Sequence, residues 1–329
     1  MHTALRQVHV RVPATTANLG SGFDILGLAL QLYNVFSLTS TSEPGWRVSL
    51  PAGVRLPTDD RNLVFQAARA LFTRVGVTPP GLHLSLAMHI PLARGLGSSS
   101  SAIVGGLMAA NQLTGNTVDG AALLAMAVAL EGHPDNVTPA LMGGLTLSYT
   151  VETQHRYLTL PFPPALTLVV AIPSFELSTA QSRAVLPAQV SRADAIFNCS
   201  RIALLVHALH SQHYDLLTTA MDDRLHQPYR AALVPGMIEA IAAGYAAGAR
   251  GVALSGAGPA LLAIADIAPE AVAGALQETF AHHGVTCTTR LLQADTTGAT
   301  AWETVPDQSP IVSPLTDPHP PPSPAGRGC

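Results

Sequence analysis

The first half of the chain alternates between two spacings of apolar residues. Val8, Val10 and Val12 alternate with polar residues, which predicts a half-buried strand. From Asp60 the apolar positions recur every three or four residues until Gly76, the pattern of an amphipathic helix that ends at a glycine. The same patterns predict strands at 35–38, 46–50, 82–90 and 143–150, a helix at 100–113, and a helix at 118–131 with Thr117 as its N-cap.

The second half carries a more regular order of elements. Once two additional helices are set aside, the order is β-α-β-β-α-β, which is typical of a ferredoxin-like domain. The predicted strands are 165–172, 252–254, 260–265 and 285–292, and the predicted helices are 192–209, 214–225, 235–247 and 269–282.

Length and composition then suggest how these elements are grouped. A chain of 329 residues corresponds to two domains at about 150 residues each. We therefore predict an N-terminal domain at 1–155, a C-terminal domain at 156–295 and a tail at 296–329. Eight of the 26 prolines lie at or beyond Pro306 and apolar residues are few there, so we expect the tail to be disordered and non-catalytic. A Pro-rich recognition ligand is the alternative interpretation of the tail.

Charge and residue usage exclude several functions. The formal net charge of -4 argues against nucleic-acid or anionic-membrane partners, which select for clustered basic residues. All 17 basic residues are arginine, which excludes a Walker-A loop, a protein-kinase site and Schiff-base chemistry, since each needs a lysine. The three cysteines are far apart, and the longest apolar run, 121–130, is too short to span a membrane. We therefore expect a cytoplasmic protein.

The strongest chemical signal is a loop rich in glycine and serine between a predicted strand and a predicted helix. Glycines allow the backbone to approach a ligand, and the free N–H groups at a helix start attract anions. The loop therefore predicts a phosphate-binding site built without lysine, and a serine-capped turn that binds nothing is the alternative. Its residues are Pro91, Leu92, Ala93, Arg94, Gly95, Leu96, Gly97, Ser98, Ser99, Ser100 and Ser101.

Three weaker clusters accompany this loop. The segment 131–136 holds two carboxylates, an imidazole and an amide at a predicted helix end, where a carboxylate could bind Mg²⁺ beside phosphate oxygens. A polar helix end with an Asx-turn is the alternative for this segment. The segment 13–24 is rich in glycine and asparagine, and 254–262 contains a Gly-x-Gly turn that a hairpin explains nearly as well.

Taken together, the four clusters resemble the GHMP superfamily of small-molecule kinases, and above all its homoserine kinases. The resemblance covers residues 8–292, and the loop at 91–102 departs from the superfamily pattern only in having Ser100 and Ser101 where alanine is common. It implies an α+β fold with an N-terminal domain like ribosomal protein S5 domain 2 and a C-terminal ferredoxin-like domain. It also implies transfer of the γ-phosphoryl group of ATP to the hydroxyl of L-homoserine in threonine biosynthesis, and a homodimer.

The resemblance also implies roles for individual residues. The loop at 91–101 would hold the ATP phosphates, with Ser99 and Glu131 binding Mg²⁺. Asp135 matches the position of a catalytic aspartate in mevalonate kinases, so a general base is one role for it. We expect instead that Asp135 and Asn136 orient the acceptor hydroxyl, with most of the rate coming from positioning and charge neutralisation. The residues implied to bind the acceptor are Asn18, Asp24, His133, Thr179, Arg183, Arg230 and Gly256.

Two other functions stay open at this point. One is a GHMP kinase that acts on a mevalonate- or sugar-type alcohol, although a neutral polyol has no use for two arginines opposed to an aspartate. The other is a non-catalytic nucleotide or metabolite sensor on the same fold.

Overall fold

The computed structural model describes residues 6–78 and 81–305. The strands in these ranges are β1 (Gln7–Ala17), β2 (Leu26–Thr41), β3 (Trp46–Ser49), β4 (Gly81–Ala87), β5 (Leu145–Val151), β6 (Gln154–Leu160), β7 (Thr167–Pro173), β8 (Gly251–Leu254), β9 (Leu261–Ala265), β10 (Cys287–Leu292) and β11 (Thr300–Thr304). The helices are α1 (Leu63–Val75), α2 (Ser98–Leu113), α3 (Gly120–Glu131), α4 (Pro134–Met142), α5 (Thr179–Ala184), α6 (Arg192–Ser211), α7 (Leu217–Ala220), α8 (Gln227–Arg230), α9 (Met237–Ala246) and α10 (Pro269–His282). Two short 3₁₀ turns lie at Tyr214–Leu216 and Ala231–Leu233.

The N-terminal half is a seven-stranded sheet covered by helices. Its strands run in the order β11-β1-β2-β4-β3, and β5 extends it from the first part of β2 to β6. The alternating valines of β1 are fully buried, as their spacing predicts, and they face the apolar sides of α1, α2 and α3. Phe65 and Leu71 of α1 lie in this same core, which confirms the helical spacing of apolar residues after Asp60.

The C-terminal half is a four-stranded antiparallel sheet in the order β10-β7-β9-β8. This confirms the predicted β-α-β-β-α-β order and the ferredoxin-like domain. One face of the sheet packs on α9 and α10. The other face contributes Leu168 and Leu262 to a core that also contains Leu28 and Leu30 of β2. The two halves therefore share buried apolar surface, and the cleft between them is held in shape by that shared core.

The structure corrects the predicted domain and tail boundaries. The boundary at 155/156 falls inside β6, which pairs with β5 from Gln154 to Leu160 and so belongs to the N-terminal sheet. The tail predicted from residue 296 begins with ordered chain, because β11 pairs antiparallel with β1 and satisfies its outer backbone edge. Residues 306–329 of the predicted tail lie outside the described residues.

Several predicted element ends also move, each for a local reason. Asp119, and not Thr117, caps α3, since its side chain accepts from the N–H of Ala122 at 2.8 Å. Strand β4 ends at Ala87 because the side chain of Asn34 accepts the N–H groups of residues 89 and 90. The helix predicted at 214–225 is only a 3₁₀ turn followed by the short α7. Among residues 6–78 and 81–305, no helix is both long and apolar enough to cross a membrane.

Candidate active site

The four sequence clusters meet around a cavity of about 480 Å³ between the two halves of the chain. Most of the residues that sequence analysis selected line it. From the phosphate loop and its neighbours these are Leu92, Ala93, Arg94, Gly95, Gly97, Ser98, Ser99, Glu131, His133, Asp135 and Asn136; from the implied acceptor end they are Asn18, Asp24, Thr179, Arg183, Arg230 and Gly256.

The start of α2 forms the phosphate-loop end of the cavity. Gly97 precedes the helix with a φ of 68°, and no side chain within residues 6–78 and 81–305 caps the N-terminus of α2. The first N–H groups of the helix therefore lack both intrahelical and side-chain acceptors, and they carry the positive end of the helix dipole. A Cβ at Gly97 would overlap Thr15 Oγ1, and one at Gly95 would overlap the carbonyl of Ser255, so only glycine fits at either position.

Glu131, at the end of α3, faces the start of α2 directly. Its Oε1 accepts hydrogen bonds from Ser99 Oγ at 2.6 Å and from Ser100 Oγ at 2.8 Å. A carboxylate and a hydroxyl thus converge beside free N–H groups. Oxygen donors of this kind are the ligands that Mg²⁺ prefers next to phosphate.

Other residues of the loop hold it in place. Arg94 donates to three backbone carbonyls, those of Leu92, Pro173 and Ser174, so its guanidinium anchors the loop to the end of β7. Four of the predicted phosphate-loop residues do not line the cavity. Leu96 is buried in the shared core, Ser101 bonds Ser98 and Asn34, Ser100 contacts Glu131 from a fully buried position, and Pro91 leads into the loop.

The opposite end of the cavity is charged. Asp24 and Arg183 form a two-point ion pair, with oxygen–nitrogen distances of 2.7 and 3.1 Å. Asn18 positions the aspartate by accepting from the backbone N–H of Asp24 at 3.0 Å, and it donates to the carbonyl of Gly256. Arg183 lies on α5 of the C-terminal half, and a capping box stabilises the start of that helix. Because Asp24 belongs to the N-terminal half, the ion pair joins the two halves across the cavity.

Arg230 lies behind this pair and is only 2% exposed. Its Nε donates to the carbonyl of Ser182, and its Nη1 donates to the carbonyl of Gly256 at 3.0 Å. Burial, together with the nearby charge of Arg183, lowers the pKa of Arg230 to about 10. The group is still a cation near neutral pH, and its charge is poorly screened at the base of the cavity.

A polar row crosses the middle of the cavity. His133 Nδ1 lies 2.6 Å from Asp135 Oδ1, and Asn136 Nδ2 donates to the same oxygen at 3.3 Å. Thr15 Oγ1 in turn donates to Asn136 Oδ1 at 2.8 Å. Burial alone would lower the pKa of His133, but the hydrogen bond to Asp135 and the charges of Asp135 and Glu131 outweigh it and raise that pKa. The row therefore joins the phosphate end to the acceptor end.

Two groups of residues, one lining the cavity and one behind it, were not predicted from the sequence. The first lines an apolar part of the cavity beside the loop, including Phe36, Leu63, Leu86 and Met88. The second is a buried polar network around Asp223, which accepts from the side chain of Asn198 and from the N–H groups of residues 225, 226 and 227. Its only local signal is a run of polar residues, Asp222 to Arg224, directly after an apolar helix, and a solvent-exposed loop has the same signal.

Two family models match the chain. The model of the GHMP kinases N terminal domain matches residues 62–144, and that of the GHMP kinases C terminal domain matches residues 205–282. The homoserine kinase of Nostoc punctiforme is 47% identical over 298 residues, covering 90% of this chain and 98% of that protein. The homoserine kinase of Desulfitobacterium hafniense is 46% identical over 295 residues, with 89% and 99% covered. The chain belongs to the homoserine kinase family.

Solved structures agree with this membership in the GHMP kinases. The crystal structure of homoserine kinase from Cytophaga hutchinsonii superposes with a TM-score of 0.83 at 29% identity, covering 90% of this chain and 97% of that one. A mevalonate kinase superposes with a TM-score of 0.67 at 13% identity, which shows a common fold. The sequence resemblance to GHMP kinases and the two-domain fold it implied are thereby confirmed.

Proposed function

We propose that this member of the homoserine kinase family transfers the γ-phosphoryl group of ATP to the side-chain hydroxyl of L-homoserine, giving O-phospho-L-homoserine. The observation that carries the proposal is the layout of the cavity. An uncapped helix start lies at one end, and a carboxylate with two guanidinium groups lies at the other. An amino acid zwitterion presents one charge of each sign, and a guanidinium binds a carboxylate with two parallel hydrogen bonds.

We assign the phosphate end and the apolar part of the cavity to ATP. The N–H groups at the start of α2, with Ser98 and Ser99, would receive the phosphates. The apolar side chains of Phe36, Leu86 and Met88 line the same cavity and suit a flat heteroaromatic base. Asn62, which caps α1, also lines this part of the cavity.

Ser99 and Glu131 fit a magnesium ion. Their oxygens lie within 2.6 Å of each other at the phosphate end, and hard oxygen donors are the ligands this ion selects. When bound, Mg²⁺ would neutralise phosphate charge. The chain's own contribution is to present one carboxylate and one hydroxyl beside the helix N-terminus.

Phosphoryl transfer passes through a loose transition state, so alignment and charge neutralisation supply most of the rate. Asp135 and Asn136 are buried, and they hold each other and His133 in a fixed hydrogen-bonded row. We assign to them the orientation of the acceptor hydroxyl toward the γ-phosphate. Asn18, Asp24, His133, Thr179, Arg183, Arg230 and Gly256 would hold the rest of the amino acid.

A substrate panel tests the proposed function. ADP release is measured with L-homoserine, L-serine, L-threonine, mevalonate and galactose at saturating ATP and Mg²⁺. We expect L-homoserine to give the highest kcat/KM. Faster turnover of mevalonate or galactose would favour a different GHMP alcohol kinase, and tight ATP binding without turnover of any alcohol would favour a sensor.

The same resemblance leads us to propose a homodimer. Light scattering on the purified chain should then give about twice the mass of the 34.1 kDa monomer. A mass near that of one chain would contradict it.

A further inference from the structure

His226 is a fully buried histidine that touches both sides of the acceptor end. Its Nε2 lies 2.9 Å from the carbonyl oxygen of Gly20, in the loop that carries Asp24. Its Nδ1 lies 3.2 Å from Nη1 of Arg230. The imidazole also stacks on Phe23 at a ring distance of 4.9 Å. One side chain thus connects the loop of the aspartate to the buried arginine.

These two contacts determine where the proton of the ring is. A backbone carbonyl can only accept, so Nε2 must carry hydrogen. A guanidinium can only donate, so Nδ1 must offer its lone pair. A protonated ring would present an N–H to a cationic N–H donor, and a ring with hydrogen on Nδ1 would lose both contacts. The geometry therefore requires the neutral form with hydrogen on Nε2.

We propose that His226 is a positioning residue for the acceptor amino acid, and that its neutral Nε2–H form couples the Gly20 loop to Arg230 and so sets the direction of that guanidinium. This inference rests on the proposed function, because it takes the carboxylate of the acceptor as the ligand of Arg230. His226 does not line the cavity, so it acts through Arg230.

The surroundings of His226 support this form of the ring. Burial lowers the pKa of His226, and the charge of Arg230 lowers it further, against the opposing effects of Asp223 and Asp24. Asp223 lies 3.5 Å from Nε2, but its carboxylate already accepts several backbone N–H groups. Asp223 therefore anchors the turn that ends at His226 and leads into α8, the helix that carries Arg230.

A matched pair of variants separates the two contacts. In His226→Asn the amide oxygen replaces Nδ1 and can still accept from Arg230, whereas in His226→Gln the amide nitrogen replaces Nε2 and can still donate to Gly20. Both variants lose the stacking on Phe23 equally. We expect KM for L-homoserine to rise about tenfold in the glutamine variant, as for the loss of a hydrogen bond to a charged group, and clearly less in the asparagine variant.

The KM for ATP should stay the same in both variants, since ATP is assigned to the other end of the cavity. A purely structural role would shift both KM values together, or would affect the two variants alike, and either result would overturn the inference. Melting temperatures of both variants should be lowered by similar amounts.

A measurement on the unmodified chain removes dependence on the variants. Nitrogen-15 NMR of the histidine rings should show hydrogen on Nε2 of His226 at neutral pH, and hydrogen on Nδ1 or on both nitrogens would overturn the inference even if the variants fail to fold. If the parent chain does not phosphorylate L-homoserine, the proposed function fails, and the ring form is still decided independently.

Discussion

Replacing Glu131 by glutamine removes the negative charge at the phosphate end of the cavity and keeps the shape of the side chain. Glutamine has nearly the same size, and its amide oxygen can accept the hydroxyl hydrogen bonds that Glu131 Oε1 now takes from Ser99 and Ser100. The substitution removes a negative charge and leaves the two contacts possible. Its effects on stability and on activity can therefore be predicted separately.

The expected effect on stability is small. A hydrogen bond to a charged acceptor contributes about 1.5–3 kcal/mol and a neutral one about 0.5–1.5 kcal/mol, so two such bonds lose about 2 kcal/mol in total. The helix-dipole effects cancel, because the carboxylate stands unfavourably at the end of α3 and favourably at the start of α2. For a chain of this size the melting temperature should fall by about 3 °C.

The expected effect on activity is much larger. Two opposite unit charges about 4 Å apart attract each other by about 4 kcal/mol at an effective dielectric constant of about 20, and we expect loss of the Glu131 charge to cost an amount of that order. Since about 1.4 kcal/mol corresponds to a factor of ten, kcat/KM for ATP should fall by about a thousandfold. Higher Mg²⁺ concentration should recover part of this loss, because the variant binds the ion more weakly.

The assay is ADP release at limiting and saturating Mg²⁺, with thermal denaturation of the same samples. Glu278→Gln is the matched control, since Glu278 is exposed on α10 and does not line the cavity. If Glu131→Gln keeps more than a third of the parental rate at limiting Mg²⁺, the assignment of the metal site is wrong. A loss of rate that follows the loss of folded protein would also contradict it.

Four further predictions concern the rest of the cavity. Gly97→Ala should lower the free energy of unfolding by about 1–2 kcal/mol and slow turnover at least about tenfold, because a Cβ would meet Thr15 Oγ1; denaturant titration and initial rates measure both. Asp24→Asn should raise KM for L-homoserine about tenfold or more with KM for ATP unchanged, whereas a parallel rise in both would point to misfolding. Asp135→Asn should lower kcat only about tenfold, and a fall of several orders of magnitude would identify Asp135 as the general base. The pKa of His133 is raised above 6.5 in the folded chain. The contribution of protonated His133 to the free energy of unfolding is therefore complete below pH 6.5 and is lost as the pH rises through the folded-state pKa. The Asp135→Asn variant should lose most of this pH dependence in unfolding experiments.

Local pattern was sufficient for much of the fold. The spacing of apolar residues predicted α1 and the order of elements in the C-terminal half, because burial of one face depends on neighbours three, four or two positions away. The glycines before Ser98 predicted a backbone that turns sharply into a helix, and Gly97 has the positive φ that such a turn requires. The absence of lysine excluded whole classes of phosphate site from the composition alone.

These local patterns did not predict which strands pair when they lie far apart in sequence. Strand β11 is short and polar, and only its pairing with the outer edge of β1 makes it a strand. The boundary predicted at 155/156 was wrong because a hairpin such as β5–β6 shows no local sign of which sheet it joins. Arg94 was predicted to bind phosphate from its position in the loop. Its guanidinium instead donates to the backbone carbonyls of Pro173 and Ser174, which lie about 80 residues away in sequence and are brought next to it by the fold.

The sequence by itself determined which residues could carry charge and bind phosphate, and in what order the strands and helices follow one another along the chain. Only the tertiary structure decided which polar residues are buried together, since an exposed aspartate and a buried one are the same letter. Asp223 and His226 show this most clearly. Their partners come from the loop after β1, from α6 and from α8, and only the fold brings these segments together, where buried polar atoms need hydrogen-bond partners.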